Sequence, residues 1–92
     1  MVRRVVGHSM LPVLPPGTLV LGVRYFRALK PGDVVVIKHE DKEKIKRIDQ
    51  IEDNTVFVVG DHPDGSTDSR QFGWLDVSTV QAKVIWPRAK PL

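Results

Sequence analysis

Ser9 is the first side chain in the sequence that could do covalent chemistry. It lies in the segment GHSMLPVL, directly after His8 and shortly before two proline-containing turns. A serine hydroxyl becomes an effective nucleophile only when a base accepts its proton. A serine beside such a turn also commonly caps the turn through its hydroxyl, which requires no base. The role of Ser9 therefore depends on whether the chain supplies a base.

Histidine is the usual base, and the chain contains three histidines, His8, His39 and His62. No acid forms a recognisable motif with any of them. If the segment around Ser9 is extended, His8 and Ser9 also point to opposite faces. The metal-binding spacing HExxH is absent as well. A histidine triad and a metalloprotease therefore have little support, and we expect no cofactor.

Lysine is the alternative base, provided that its amine is neutral near pH 7. The ordinary lysine pKa near 10.4 must then fall by about 2–4 units, which requires burial. In KIKRIDQI, Lys46 is flanked by Ile45 and shares a strand face with Ile48. The neighbouring lysines, Lys42 and Lys44, stand in or beside a charged turn. Lys46 is thus the candidate base, although the local pattern alone predicts a solvent-exposed lysine here.

The segment GDHPDGSTDSRQFG, residues 60–73, is the one long polar stretch of the chain. It carries three aspartates, two serines and an arginine. A polar loop of this length in so small a domain is more often functional or disordered than incidental. We therefore expect it to take part in a functional site.

The elements that must position these residues are strands, because Val, Ile and Thr dominate the segments between regularly spaced turns. Turns are predicted at residues 15–17, 30–33, 39–43 and 52–54, with a hairpin around the last. Asp76 could cap a single helical turn over 76–80, and helix is otherwise minor. The predicted strands are 3–6, 18–25, 33–39, 44–52, 55–59 and 81–86.

Length and composition indicate one folded domain over residues 1–92. Hydrophobic residues make up 41% and charged residues 27% of the chain, which is ordinary for a globular protein, and cysteine is absent. The net charge is +3, but basic and acidic residues interleave, which does not indicate nucleic-acid binding. The apolar runs are far shorter than the roughly 20 residues that span a bilayer, and no signal peptide is visible. We expect a cytoplasmic protein without a membrane anchor.

Four blocks in this order, GHSMLPVL, GDVVVIK, IKRI and GDHPDGSTDSRQFG, make the chain resemble type I signal peptidases. In that family the serine of an S-M-x-P motif is the nucleophile, and a lysine followed by arginine is the general base. The resemblance implies that Ser9 and Lys46 form a Ser-Lys dyad in a serine endopeptidase. It also implies an all-β fold of coiled sheets that form a partly open barrel, here without the second-domain insertion of larger members.

The resemblance also implies supporting roles for further residues. Ser66 would hydrogen-bond Lys46 and orient its amine, and Gly7 and Met10 would line the site. The Ser9 backbone N–H would help to bind the oxyanion. His62 departs from the family pattern, which has asparagine there. A structural ion-pair cluster is implied for Arg47, Asp64, Asp68 and Arg70.

Among short members of the family, the chain is most similar to the nickel-type superoxide dismutase maturation proteases. This implies that the partner is a protein substrate, an N-terminally extended dismutase precursor. Repressors of the SOS response share this kind of fold and dyad and cleave themselves. Because eight residues precede Ser9 in this sequence, we expect no scissile loop upstream of it.

A non-catalytic β-module that binds peptide or nucleic acid is a further alternative. Aromatic residues interleaved with basic ones would favour nucleic acid. Tyr25 and Phe26 do stand beside Arg24 and Arg27, but the other aromatic residues lie apart. Core packing explains them equally well, so the peptidase interpretation is preferred.

Overall fold

One antiparallel sheet accounts for most of the fold. The computed structural model describes residues 1–24, 28–62 and 67–90. In these residues seven strands lie in the order β1-β2-β7-β3-β4-β5-β6, and β1 and β6 are the free edges of an open sheet. The predicted all-β class with minimal helix is confirmed. The strands are β1 (Val2–Arg4), β2 (Leu19–Val23), β3 (Val34–His39), β4 (Lys42–Glu52), β5 (Thr55–Val59), β6 (Leu75–Asp76) and β7 (Val80–Trp86).

The β3–β4 hairpin sets the register of the strand that carries Lys46. Its turn consists of Glu40 and Asp41, both with positive φ, 51° and 63°. Such tight turns match the twist of the paired strands. The predicted turn over 39–43 was too long, because β4 already begins at Lys42. The short turn fixes Lys46 opposite Val35, and a slip by one residue would move every side chain to the other face.

The β4–β5 hairpin is confirmed where it was predicted. Asp53, with φ of 53°, stands in its turn, and Glu52 pairs with Thr55. A bulge interrupts the register between Ile48 and Gln50. The predicted strand 18–25 is shorter, since β2 covers Leu19–Val23 and residue 25 lies outside the described residues.

Strand β3 separates two hydrophobic clusters. Val34 and Val36 pack into one cluster and Val35 and Ile37 into the other, so the whole run is buried. A strand covered on both faces reads as a continuous apolar run, which explains the sequence VVVI. The first cluster also contains Val5, Met10, Leu14, Val20, Ala82 and Val84, and thereby anchors the segment on either side of Ser9.

Two short helical pieces follow β5. Helix α1 (Ser69–Phe72) lies inside the stretch 60–73 that the sequence predicted to be a loop. It was missed because four residues are too few to show helical periodicity. A single 3₁₀ turn, Val77–Thr79, has Asp76 as its N-cap, which confirms the predicted helical turn. Within residues 1–24, 28–62 and 67–90, no helix has the length and apolar character needed to cross a membrane.

Candidate active site

Ser9 lies in the connection between β1 and β2, which is a series of turns. The Leu11 N–H donates to the His8 carbonyl, and the Leu14 N–H donates to the Met10 carbonyl at 2.8 Å. The expected extended strand ends at Arg4, so alternation along a strand does not govern how His8 and Ser9 point. Met10 is 1% exposed and anchors this connection, whereas Ser9 is partly exposed. The core thus holds a reachable serine in place.

Gly7 permits the bend that leads into Ser9. Its φ is +81°, a conformation that residues with a Cβ adopt with strain. An added Cβ would meet no atom within 4 Å, so the requirement for glycine is conformational rather than steric.

Lys46 is buried in β4, with only 4% of its surface exposed. Its neighbours Arg47 and Ile48 are buried as well, so both faces of the strand are covered here. The local pattern predicted an exposed lysine at this position, and that prediction is therefore wrong. Alternation within one strand does not show that other segments cover its second face.

Burial lowers the pKa of Lys46 below the ordinary lysine value, because the charged ammonium loses contact with water. The Asp68 carboxylate opposes this shift. The positive charges of Lys44 and Arg70 lower the pKa further. The balance favours the neutral amine more than in an exposed lysine, which is the property that a general base needs.

Ser9 and Lys46 line the same cavity, whose volume is about 510 Å³. Gly7 and Met10 line it too, and so does Thr67 of the polar stretch. The fold thus brings a serine, a buried lysine and part of the polar stretch to one opening. These are the parts required for nucleophilic attack by an activated hydroxyl.

The polar stretch is tied directly to Ser9. The His62 N–H donates to the Ser9 carbonyl at 2.8 Å. The preceding residue, Asp61, accepts two hydrogen bonds from the Arg47 guanidinium, both 2.8 Å long. Because Arg47 directly follows Lys46, this chain of contacts connects the serine backbone to the lysine strand.

Arg47 is held on several sides. Besides Asp61, it donates to the carbonyl oxygens of Gly32 at 2.7 Å and Ala89 at 2.6 Å. The Arg47 and Asp61 side chains are only 8% and 9% exposed. A planar guanidinium that binds a carboxylate with two parallel hydrogen bonds is held in one orientation.

Asp68 and Arg70 form a second ion pair that folds the polar stretch onto β5. Asp68 accepts from the Gly60 N–H at 2.8 Å and from the Arg70 side chain. Asp68 also caps α1, where it accepts from the Arg70 backbone N–H while Gln71 accepts from the Asp68 N–H. The buried Ser69 hydroxyl accepts from the Val58 N–H at 2.9 Å. These contacts hold Asp68 and Ser69 against the end of β5.

Among the described members of the implied cluster, Arg47 binds Asp61 and Arg70 binds Asp68. Asp64 and Ser66 lie outside the described residues. Asp61 was not selected from the sequence, although one signal was available. Arg47 pairs with Val59 in the β4–β5 hairpin, so an acid two residues further on falls within its reach.

Arg3 and Glu43 form another pair that the sequence analysis did not select. Arg3 Nε lies 2.6 Å from Glu43 Oε1, and both residues line the cavity of Ser9 and Lys46. This contact lowers the pKa of Glu43 and raises the pKa of Arg3. The pair joins β1 to β4, which are not neighbours in the sheet. Among the described residues, no group of three or more His, Cys, Asp or Glu side chains could hold a metal ion.

The fold and this cavity define a class of protein in which a serine and a buried lysine line one cavity of an open β-sheet. The model of one family, described as peptidase S24-like, matches residues 1–85. The chain belongs to the peptidase S24-like family. Membership supports a serine peptidase function with a polypeptide substrate. Among curated proteins, none matches this chain significantly.

Proposed function

We propose that this protein is a serine endopeptidase in which Ser9 is the nucleophile and Lys46 is the general base. The observation that carries the proposal is the buried Lys46, with its lowered pKa, in the same cavity as Ser9. The family match supports the peptidase class. The proposal assigns that activity to two residues of this chain, Ser9 and Lys46.

In the proposed reaction, neutral Lys46 takes the hydroxyl proton as Ser9 Oγ attacks the peptide carbonyl carbon. The Ser9 backbone N–H is the candidate donor to the resulting oxyanion. When the C–N bond breaks, Lys46 returns the proton to the leaving amine. Water then attacks the ester, Lys46 accepts a water proton, and that proton passes to Ser9 Oγ as the acid product leaves.

The other residues position this pair. Ser66 is the proposed hydrogen-bond partner that orients the Lys46 amine. Arg47 and Asp61 hold the Ser9 connection through His62. The pair formed by Asp68 and Arg70 holds the start of α1 against β5, and Asp64 is assigned to the same supporting role.

The substrate is proposed to bind as an extended strand beside β1. This strand is an edge of the sheet, and Arg3 and Arg4 at its end line the cavity. Edge strands present unpaired backbone groups to which a peptide can add. By the family resemblance, small side chains precede the cut. The proposed substrate is the N-terminally extended precursor of nickel-type superoxide dismutase.

Intact-mass analysis of that precursor after incubation with the protein tests both parts of the proposal. We expect one mass loss with the wild type, none with Ser9→Ala or Lys46→Ala, and retained cleavage with Lys44→Ala as the matched lysine control. Circular dichroism establishes that each variant is folded. Cleavage by folded Lys46→Ala would overturn the dyad.

A second substrate separates the mechanism from the assignment of the precursor. If the precursor stays intact, a mixture of unrelated peptides is incubated with the wild type and with Ser9→Ala. Serine-dependent cleavage of the mixture alone would reject the dismutase precursor and keep the peptidase. Absence of serine-dependent cleavage in both would reject the peptidase proposal.

A further inference from the structure

A second groove lies apart from the cavity of Ser9 and Lys46. It has a volume of about 530 Å³ and runs between the turn at residues 30–33, the end of β7 and residues 88–90. Its polar lining consists of four basic side chains, Lys30, Lys83, Arg88 and Lys90, and one acidic side chain, Asp33. We refer to it as the basic groove.

The basic groove carries a formal net charge of +3, which equals the net charge of the whole chain. The remaining residues together therefore have no formal net charge. Asp33 is already engaged, because its carboxylate lies 3.5 Å from Lys83 Nζ and accepts from the Lys30 N–H at 3.0 Å. Its side chain is only 9% exposed. The positive groups thus dominate the accessible surface of the groove, and such a surface attracts anions.

The apolar lining indicates what kind of anion fits. Pro31 and Ile85 are exposed apolar residues of the lining, and the buried Val34 and Val84 lie beneath it. No aromatic side chain is among its lining residues within the described part of the chain. Binding of single-stranded nucleic acid relies on aromatic side chains that stack on bases, and the groove supplies none. A polypeptide that combines carboxylates with an apolar side chain matches this lining better.

The walls of the basic groove are preformed. The Arg47 guanidinium donates to the carbonyl oxygens of Gly32 and Ala89, and both residues line the groove. One buried side chain thereby holds the turn and the C-terminal segment together. A preformed site requires less ordering when its ligand binds, which favours affinity.

We propose that the basic groove binds an acidic segment of a polypeptide partner, at a site separate from the cavity of Ser9 and Lys46. The basic groups contact carboxylates, and the exposed Pro31 and Ile85 contact a hydrophobic side chain of the same segment. The proposal concerns binding alone and stands whether or not Ser9 acts as a nucleophile.

Fluorescence anisotropy with a labelled peptide of glutamates around a central leucine tests the proposal. All proteins carry Ser9→Ala, so that the peptide remains intact. We expect saturable binding that weakens as salt is added. The variant Arg88→Gln/Lys90→Gln should bind roughly tenfold more weakly, because it loses two charge contacts.

The matched control is Lys38→Gln/Lys42→Gln, which removes the same charge from exposed positions that line neither cavity. This control should bind the peptide as tightly as its parent, and thermal melts should show that both variants are folded. Equal weakening by the two variants, or no binding by the parent, would overturn the proposal. Oligothymidylate is the competitor that tests for nucleic acid. If it displaces the peptide and binds the groove more tightly than the peptide does, the proposal is overturned in favour of nucleic acid.

Discussion

At the level of single residues, the environment of Lys46 determines how the proposed reaction depends on pH. Burial lowers its pKa, and the positive charge of Lys44 contributes in the same direction. Lys44 lies two positions away on the same strand, and its amine sits 5.1 Å from the centre of the Phe72 ring. It is therefore held close to the cavity that it lines.

Lys44→Gln should raise the pKa of Lys46, since it removes a neighbouring positive charge that disfavours the ammonium. Only neutral Lys46 can act as the base, so kcat/KM rises with pH as the amine loses its proton. The rising limb of the profile of kcat/KM against pH should move to higher pH, with the alkaline plateau retained. Lys38→Gln, an exposed position outside the cavity, is the control. A shift of the limb to lower pH in Lys44→Gln would contradict this account.

Asp61→Asn should destabilise the protein strongly. The change leaves the Arg47 guanidinium buried without its carboxylate, and loss of one member of a buried pair costs about 3–5 kcal/mol. Urea denaturation gives the free energy of unfolding. The exposed Asp49→Asn should change it by less than about 0.5 kcal/mol. Similar values for the two variants would show that the ion pair contributes little.

The identity of the site residues illustrates what the sequence can and cannot predict at this scale. Residue chemistry alone selected Lys46 only as a candidate and predicted that it is exposed. The resemblance of four blocks was needed to join it to Ser9. The burial of Lys46 depends on segments that are distant in sequence. The alternation of polar and apolar residues within β4 carries no information about those segments.

At the level of elements, the connection between β1 and β2 depends on glycines with positive φ. Gly7 has φ of +81° and Gly17 has φ of +90°, and both have open space around the position of a Cβ. They differ in location, because Gly7 lines the cavity of Ser9 and Gly17 does not. The two positions form a matched pair for an experiment.

Gly7→Ala and Gly17→Ala should each lower the free energy of unfolding by about 1–2 kcal/mol, the strain of a left-handed backbone. Only Gly7→Ala should also lower kcat/KM, by roughly tenfold or more, because it displaces the backbone next to the nucleophile. Chemical denaturation and steady-state kinetics of both variants provide the measurement. Equal losses of kcat/KM would mean that Gly7 has no special role in catalysis.

Turns and hairpins were predictable because their causes are local. The β4–β5 hairpin and the Asp76 cap follow from residues close together in sequence. The exact length of the β3–β4 turn was not predictable from its charged residues, since Glu40 and Asp41 both adopt positive φ without a glycine. Helix α1 is stabilised by the Asp68–Gln71 capping box and by stacking of Phe72 on His39, at 4.3 Å, rather than by any repeating pattern.

At the level of the whole molecule, the central position of β7 could not be read from the sequence. Strand β7 pairs with β2 on one side and with β3 on the other. Its buried apolar residues alternate with the polar Gln81 and Lys83, and nothing local specifies insertion between two earlier strands. The packing of β7 against its neighbours determines its position. Gly22 of β2 is part of that packing. A Cβ at Gly22 would lie 3.1 Å from the Ala82 Cβ of β7.

Gly22→Ala should lower the free energy of unfolding by about 1–3 kcal/mol, because Ala82 and its strand must shift to admit the extra methyl group. Adding Ala82→Gly removes the facing methyl group. The double variant should therefore lose less stability than the sum of the two single variants. A double-mutant cycle from urea denaturation measures this coupling, and strict additivity would show that the two methyl groups do not meet.

The central position of β7 also bears on when the protein can become active during its own synthesis. Ser9 precedes β2, and Lys46 follows β3, and these two parts of the sheet are joined through β7. On the ribosome, the serine and the lysine both emerge well before residues 80–86. A nascent chain therefore carries both groups without the strand that brings them together. The proposed hydrolysis therefore waits until β7 has left the exit tunnel and taken its place in the sheet.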